Sequence, residues 1–254
     1  MIDVNNQIRK SLRITPRRKF AAAIIVVLAL VAGAGKISEA SSETESAKNL
    51  GPKPIGTVET VTGMASAFHS DGTEVPLNAG DPVYWGDLLN TAGEARIGLR
   101  FIDDTRLSLG QDGRMVLDEL TYDAKTHQGK LSVSVVNGAV SFFSGSIAKS
   151  GPDAMQVRTP VATIGIRGTK VAIKAGAEGE ENVITLLEEE GGITGEIVVT
   201  NHGGSQILNE AGQTTSVWSF VGAPSMPIIM PPSQVDLLFS RTIEVLPERG
   251  AKSR

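Results

Sequence analysis

The sequence predicts an all-β domain, a jelly-roll-like β-sandwich, over residues 55–221. Three observations favour it: short runs of alternating apolar and polar residues recur, turn signals separate them, and no amphipathic helix of about ten residues or more interrupts them. Alternation with a period of two is typical of strands with one buried face, and strands without helices favour a sandwich or jelly roll. Aromatic residues make up only 4% of the chain, which suits thin strands.

Residues 20–35, FAAAIIVVLALVAGAG, form an apolar run directly after the basic residues PRRK. Such a leader helix is typical of a secretory signal, here with cleavage after Ala34 or Ala40. The alternative is an uncleaved inner-membrane anchor, although a helix of this length covers roughly 24 Å of a hydrocarbon core of about 30 Å. Arg17 and Arg18 also resemble a twin-arginine export signal. We therefore expect residues 1–35 to place the body in the periplasm, either released by cleavage or anchored in the inner membrane.

The segments that flank the β body differ from it in composition. Residues 36–54 are polar and rich in Ser, Glu and Pro, as is typical of a flexible linker. Residues 222–254 form a Pro-rich tail and include a short amphipathic helix whose apolar side would carry Val235, Leu238, Phe239 and Ile243. We expect this helix either to cap the domain or to dock to a partner.

The charge distribution argues against nucleic acid as a partner. Residues 1–36 contain seven Lys and Arg and one acid; subtracting these from the chain totals of 24 and 28 leaves 17 basic and 27 acidic residues in 37–254. Nucleic-acid affinity depends on clustered cations, which an acidic body lacks. The absence of cysteine excludes disulfides, thiolate metal sites and a cysteine nucleophile.

Residues 157–173, VRTPVATIGIRGTKVAI, interrupt a strand-like run with a proline and two glycines. The apolar residues change from odd to even positions and then back to odd positions, so the buried face of a strand would change twice. We expect Gly165 and Gly168 to provide the bulge or corner that each change requires. Pro160 lacks an N–H group and suits a strand entry. The spacing does not match a phosphate-binding loop, which ends in GK[ST]. The segment is therefore predicted to be a strand that turns a corner between sheets.

Arg167 is the most informative side chain of this stretch. Its guanidinium group has five donors in a fixed fork, which suits carbonyl groups freed where strand pairing breaks at a corner. The rival role is recognition of an acidic partner or glycan. We favour the structural role.

The chain resembles the FecR domain of bacterial envelope proteins. The run LNAGDPVYWGDLLNTAGEARIGLRFIDDTRLSLG (77–110) is similar to one motif of that family, residues 131–142 to its strand pair, and Leu208, Gly212 and Gln213 to its closing motif. The resemblance covers about residues 55–220. Its signature "TP-x-A … RGT" corresponds to the segment that contains Thr159, Pro160, Ala162, Gly165, Arg167, Gly168 and Thr169.

The resemblance implies a jelly-roll-like domain in the cell envelope. In the family's named member this domain passes a signal from an outer-membrane iron transporter to a sigma factor. Only 19 residues precede the apolar run, so we expect the cytoplasmic sigma-regulator segment to be absent. The expected function is a non-enzymatic envelope module that binds a partner or scaffolds an assembly; the alternatives are a sensor or regulator in transmembrane signalling and a glycan-acting enzyme on a jelly roll.

No catalytic, cofactor or metal site is predicted. The three histidines lie far apart, lack the spacing of zinc ligands and are expected to be solvated beside turns, and no serine lies in a G-x-S-x-G motif.

The partner, an unknown envelope protein or glycan, would be bound by exposed side chains. The tyrosine–tryptophan pair at 84–85 is considered too, although it and the aromatic residues near the end of the body are expected mainly to pack on the core. The candidate partner-binding residues are Arg167, Trp218, Phe220, Leu238 and Phe239.

Overall fold

The computed structural model describes residues 53–189, 192 and 194–247. The predicted leader at 20–35 and most of the linker lie outside the described residues. In the ranges described, no helix combines the length and apolar character needed to cross a bilayer. A single-turn 3-10 helix (Ile147–Lys149), one α-helix, α1 (Pro232–Glu244), and seventeen strands are found there. The strands are β1 (Gly56–Thr62), β2 (Ala65–Phe68), β3 (Glu74–Pro76), β4 (Pro82–Val83), β5 (Leu88–Thr91), β6 (Arg96–Phe101), β7 (Arg106–Leu109), β8 (Arg114–Asp123), β9 (Gln128–Phe143), β10 (Met155–Arg158), β11 (Thr163–Arg167), β12 (Lys170–Ala175), β13 (Asn182–Leu187), β14 (Glu196–Asn201), β15 (Gly204–Leu208), β16 (Gln213–Val217) and β17 (Ile228–Ile229).

Strand pairing forms one continuous network that divides into two layers. The first layer has the order β4-β1-β6-β7-β9-β12-β13-β16-β17. The second has the order β3-β2-β5-β8-β9-β10-β11-β14-β15, in which β9 and β10 are parallel and the other neighbours antiparallel. The predicted all-β class is confirmed, whereas the jelly-roll topology stays a prediction.

Strand β9 belongs to both layers. Asn137 and Gly138 form an Asn-Gly pair, which is a turn signal in the sequence, but this prediction is wrong because the chain continues there as a single strand of 16 residues. Its first part pairs with β8, and its last part, from Gly138, pairs with β12. Gly138 has φ +100°, and a Cβ there would lie 2.7 Å from the Gly113 Cα. Glycine therefore lets the strand bend from one layer into the other without ending.

The alternating residues predicted to be buried form a core between the layers. One hydrophobic cluster joins Leu99 and Phe142 of the first layer to Leu117 and Ile164 of the second. Alternation in residues 96–101 and 131–135 predicts one buried face for each run. Both faces are confirmed, since their apolar residues are buried and belong to this cluster: Ile97, Leu99, Phe101, Leu131, Val133 and Val135.

Helix α1 covers the outer face of the first layer. It begins at Pro232, where a missing N–H costs no hydrogen bond. Its predicted apolar side is confirmed: Phe239 is fully buried against Ala172 and Val183 of the layer, with Val235, Leu238 and Ile243 packed around the same cluster. The helix therefore caps the domain. Phe239 was predicted as a partner-binding residue, and this is wrong because no part of its side chain is accessible.

Two glycines allow α1 to approach the layer closely. A Cβ at Gly98 would lie 2.4 Å from the Val245 carbonyl oxygen, and a Cβ at Gly110 would lie 2.8 Å from Thr242 Cγ2. Thr242 and Ser141 share a buried hydrogen bond of 2.9 Å between their hydroxyl groups. The position of the helix is thus fixed by side chains from strands that are distant in sequence.

Candidate functional site

The first half of the FecR-like signature forms a tight hairpin between β10 and β11. The Thr159 N–H donates to the Ala162 carbonyl (2.8 Å), and the Thr159 hydroxyl accepts the Ala162 N–H (3.1 Å). Pro160 is exposed at the turn, and Ala162 is buried. The first change of buried face therefore occurs in this hairpin. The switch predicted at Gly165 is wrong, because that residue lies in the middle of β11 in regular register with Gln156 and Val198.

The second half of the signature forms the predicted corner. Gly168 adopts φ +59° and connects β11 in the second layer to β12 in the first. The buried Thr169 then donates its N–H to the Ser144 hydroxyl (2.7 Å), and its carbonyl accepts the Ser144 N–H (3.1 Å). Ser144 therefore satisfies the backbone groups of Thr169 at the corner.

Next to the hydrogen bonds between Ser144 and Thr169 lies a buried carboxylate, that of Asp103. Asp103 accepts hydrogen bonds from the N–H and hydroxyl of Thr105 (3.0 and 2.8 Å) and from the Ile147 N–H (3.2 Å). The Thr105 hydroxyl in turn accepts the Gly145 N–H at 3.0 Å. We define Asp103, Thr105, Ser144 and Thr169 as the corner network. Since its members are 0–2% exposed, these motif residues serve the fold rather than a ligand.

Arg167 does not belong to the corner network. Its side chain is 53% exposed, and its Nη1 lies 3.7 Å from the Glu196 carboxylate on the neighbouring strand. The predicted contact with carbonyl groups at the corner is wrong, because Ser144 already fills that role for Thr169. Recognition of an acidic partner by Arg167 stays a prediction.

A groove of about 460 Å³ opens where α1 ceases to cover the first layer. Strands β13 and β16 provide its floor, and α1 and the segment before it provide its walls. We call it the Trp218 groove; it is lined by Glu181, Val183, Thr214, Ser216, Trp218, Ser225, Met226, Ile228, Met230, Gln234 and Leu238. It contains two of the predicted partner-binding residues, Trp218 and Leu238.

The aromatic side chains at this end of the domain are partly accessible. Trp218 is 49% exposed, so the expectation that it mainly packs on the core is wrong. Phe220 stacks on His202, with ring centroids 4.3 Å apart, and its N–H donates to the Glu178 carboxylate at 3.0 Å. Glu181 accepts the Ser216 hydroxyl at 2.8 Å on the groove floor. The Trp218 groove is therefore an apolar recess with carboxylates beside it.

A second groove, of about 730 Å³, surrounds Trp85, Ile102 and Tyr122. Trp85 is 66% exposed and its Nε1–H donates to the Asp118 carbonyl, so its predicted role in core packing is also wrong. The acids here have cationic partners: Arg158 lies 3.7 Å from Asp118, and Lys130 lies 3.1 Å from Glu119. Trp85 was considered from the sequence together with Tyr84, but its assembly with Tyr122 into a groove of four separate segments was not foreseen.

The histidines lie apart from one another and have local partners. His69 Nδ1 lies 2.7 Å from the buried Asp87 carboxylate, which also accepts the Tyr84 N–H. His127 Nδ1 lies 2.8 Å from the Tyr122 hydroxyl. The expectation of simple solvation is therefore wrong for His69. Among the described residues, no group of three or more His, Asp or Glu side chains is placed to hold a metal ion.

Comparison with known proteins connects the corner network to a family. Residues 87–190 match the family model described as FecR protein, which confirms the resemblance over that part of the chain. The match includes Asp103, Thr105 and the whole 157–173 segment. No match was found among curated proteins.

Solved structures with some similarity were also found. Two crystal structures of a candidate anti-sigma factor from Parabacteroides distasonis ATCC 8503 share 15% identity with this chain, at a TM-score of 0.44. The matched region covers 58% of this chain and 62% of theirs, so the chain spans less than two thirds of those structures. A cell surface anchoring domain is 27% identical over 24% of this chain and 82% of its own length, at a TM-score of 0.24. Similarity at this level does not assign a function.

Proposed function

From the match of residues 87–190 to the FecR family, we propose that this chain is a regulator of transmembrane signalling in the bacterial cell envelope. It acts by binding another protein and not by catalysis. The family match carries this proposal, and it favours a signalling role over the scaffold role that was preferred from the sequence.

The distribution of the family motifs supports a binding function. Asp103, Thr105 and Thr169 are buried and satisfied by one another or by Ser144, so the signature specifies the corner between the layers. The exposed aromatic side chains lie elsewhere, in the two grooves that contain Trp85 and Trp218. Exposed apolar recesses of this kind commonly mark protein interaction sites.

The envelope location is part of the same proposal. A basic flank followed by the apolar run 20–35 is suited to export, and the acidic, cysteine-free body is compatible with the periplasm. Anchoring by residues 20–35 would keep the β domain beside the inner membrane, where it could meet a signalling partner.

Deletion and complementation in the source bacterium test the proposal. We expect deletion to change a defined set of transcripts, and expression of the full chain to restore them. A chain that ends after residue 54 is the negative control. Unchanged transcripts under envelope stress and metal limitation, with the full chain present in the cytosol only, would exclude the signalling role. Unchanged transcripts together with specific co-purification of envelope proteins would instead support a scaffold.

A further inference from the structure

The Trp218 groove is apolar along its walls. Met226 and Ile228 are largely exposed on one side, and Leu238 of α1 forms part of the other. The indole of Trp218 stands at the edge of this recess. Apolar groups left in water at a concave site are stabilised when another apolar side chain covers them.

The groove lies in a part of the chain that has no cationic side chain. Between Lys174 and Arg241 the sequence contains no Lys or Arg, but it contains one aspartate, Asp236, and eight glutamates: Glu178, Glu180, Glu181, Glu188, Glu189, Glu190, Glu196 and Glu210. Such a one-sided composition gives this segment an excess of negative charge, although Glu196 within it lies 3.7 Å from Arg167.

The carboxylates nearest the groove have only neutral partners among the described residues. Glu181 accepts a hydroxyl group from Ser216, and Glu178 accepts the Phe220 N–H. The Trp85 groove differs, because Arg158 and Lys130 pair with its acids. Of the two apolar grooves, the Trp218 groove is thus the one with negative charge left for a partner to neutralise.

We propose that the Trp218 groove binds a peptide segment of a partner protein in which an apolar side chain is flanked by Lys or Arg. The apolar side chain would cover Met226, Ile228 and Leu238. A flanking cation would lie near Glu181 or on the face of the Trp218 indole, the ring that binds cations best. This proposal deepens the proposed function and rests on it, since it names the chemistry of the signalling partner.

The β body of a second copy does not fit this chemistry. Residues 37–254 contain 17 basic and 27 acidic residues, counted from the chain totals of 24 and 28, so two bodies repel each other. The partner segment must supply the cations itself.

Binding of fluorescein-labelled peptides to the purified full chain in mild detergent tests the inference by anisotropy. The probes are acetyl-GKLFKRG-amide, its charge-reversed form acetyl-GELFEDG-amide, and acetyl-GKSSKRG-amide, which lacks the apolar side chains. We expect the first peptide to bind about tenfold more tightly than either of the others, because only it supplies both chemistries.

Substitutions locate the binding site. Trp218→Ala and Glu181→Gln are each expected to weaken binding of the first peptide about tenfold, and glutamine can still accept the Ser216 hydroxyl group. Ile207→Ala, which changes an exposed apolar side chain, and Glu210→Gln are matched controls outside the groove and should leave binding within about twofold of the unchanged chain.

Two results would overturn the inference. One is equal binding by the Trp218→Ala and Glu181→Gln variants and the unchanged chain; the other is equal binding of the charge-reversed peptide. A dimer that dissociates on Trp218→Ala, seen by analytical ultracentrifugation, would also overturn it by identifying a second copy as the occupant. Since the peptide assay involves no gene regulation, it can fail while the transcript experiment succeeds.

Discussion

Single side chains in the corner network show how an acidic residue can be buried in this domain. Asp103 is 1% exposed, yet its two carboxylate oxygens accept three hydrogen bonds from Thr105 and Ile147. A buried carboxylate without such donors would be strongly unfavourable. The Thr105 hydroxyl both donates to Asp103 and accepts from Gly145, so the network fixes the loop that follows β9.

Asp103→Ala should lower the free energy of unfolding by about 3 kcal/mol, because it removes a charged acceptor and leaves buried donors unpaired. Urea unfolding followed by circular dichroism measures this effect. Asp153→Ala is the matched control, since Asp153 is exposed and forms no hydrogen bond or ion pair within the described ranges. Equal unfolding midpoints for the two variants would contradict the structural role of the network.

Arg167→Ala should reduce the free energy of unfolding by at most about 1 kcal/mol, and Arg167→Lys by less. The side chain is half exposed, and its ion pair with Glu196 spans 3.7 Å, so solvent screens most of the attraction. Thermal melting of both variants measures the effect. A loss comparable to that of Asp103→Ala would restore the view that the guanidinium group supports the corner.

Among the elements, α1 converts an open sheet face into a second hydrophobic layer. Phe239 inserts between β12 and β13, and Arg241 Nη1 donates to Gln111 (3.0 Å) and to the Glu94 carboxylate (2.6 Å). Because the helix leaves part of β13 and β16 uncovered, its edge also creates the Trp218 groove. The same element therefore stabilises the domain and shapes its surface.

Phe239→Ala should lower the free energy of unfolding by about 3–5 kcal/mol, since it removes a large, fully buried side chain. Leu237→Ala is the control on the same helix, where the exposed side chain should contribute no more than about 0.5 kcal/mol. Chemical denaturation of both variants gives the comparison. Similar stabilities would mean that α1 is not docked in solution as the structure shows.

In the whole molecule, β9 and the shared core connect the strands before it with those after it. The strand pairs with β7 and β8, which precede it, and with β10 and β12, which follow it. Apolar residues of both layers belong to one cluster. Neither part can lose its structure without exposing apolar surface of the other, which favours cooperative unfolding.

The chain contains two tryptophans, Trp85 before β9 and Trp218 after it, which report on the two parts separately. We expect the single-tryptophan variants Trp85→Phe and Trp218→Phe to show the same urea midpoint by fluorescence as by circular dichroism. Both substitutions keep an aromatic ring at a position where the side chain is about half exposed or more, so they should change stability little. Separate fluorescence midpoints would indicate that the two parts unfold independently.

The accuracy of the sequence predictions depended on the range of the interactions involved. Alternation correctly assigned the buried faces around Leu99 and Val133, and helical spacing identified the buried side of α1, because these patterns arise within a few residues. The predicted structural role of Arg167 was wrong. Nothing in the local sequence shows that Ser144, 25 residues before Thr169, would satisfy the backbone groups of Thr169 at the corner. The family resemblance identified the motif residues but not the network that joins them.

The amino-acid order was enough to establish the all-β class, the apolar faces, the FecR-like signature and the acidic character of the segment between Lys174 and Arg241. Those properties reside in local periodicity and in charges that can be counted along the chain. The continuity of β9, the burial of Phe239 and the joining of Trp218, Glu181 and Leu238 into one groove depended on the folded chain. Alternation predicts which face of a strand is buried, but it does not predict which strand lies beside it. Contacts between distant strands are therefore fixed only when the two layers pack.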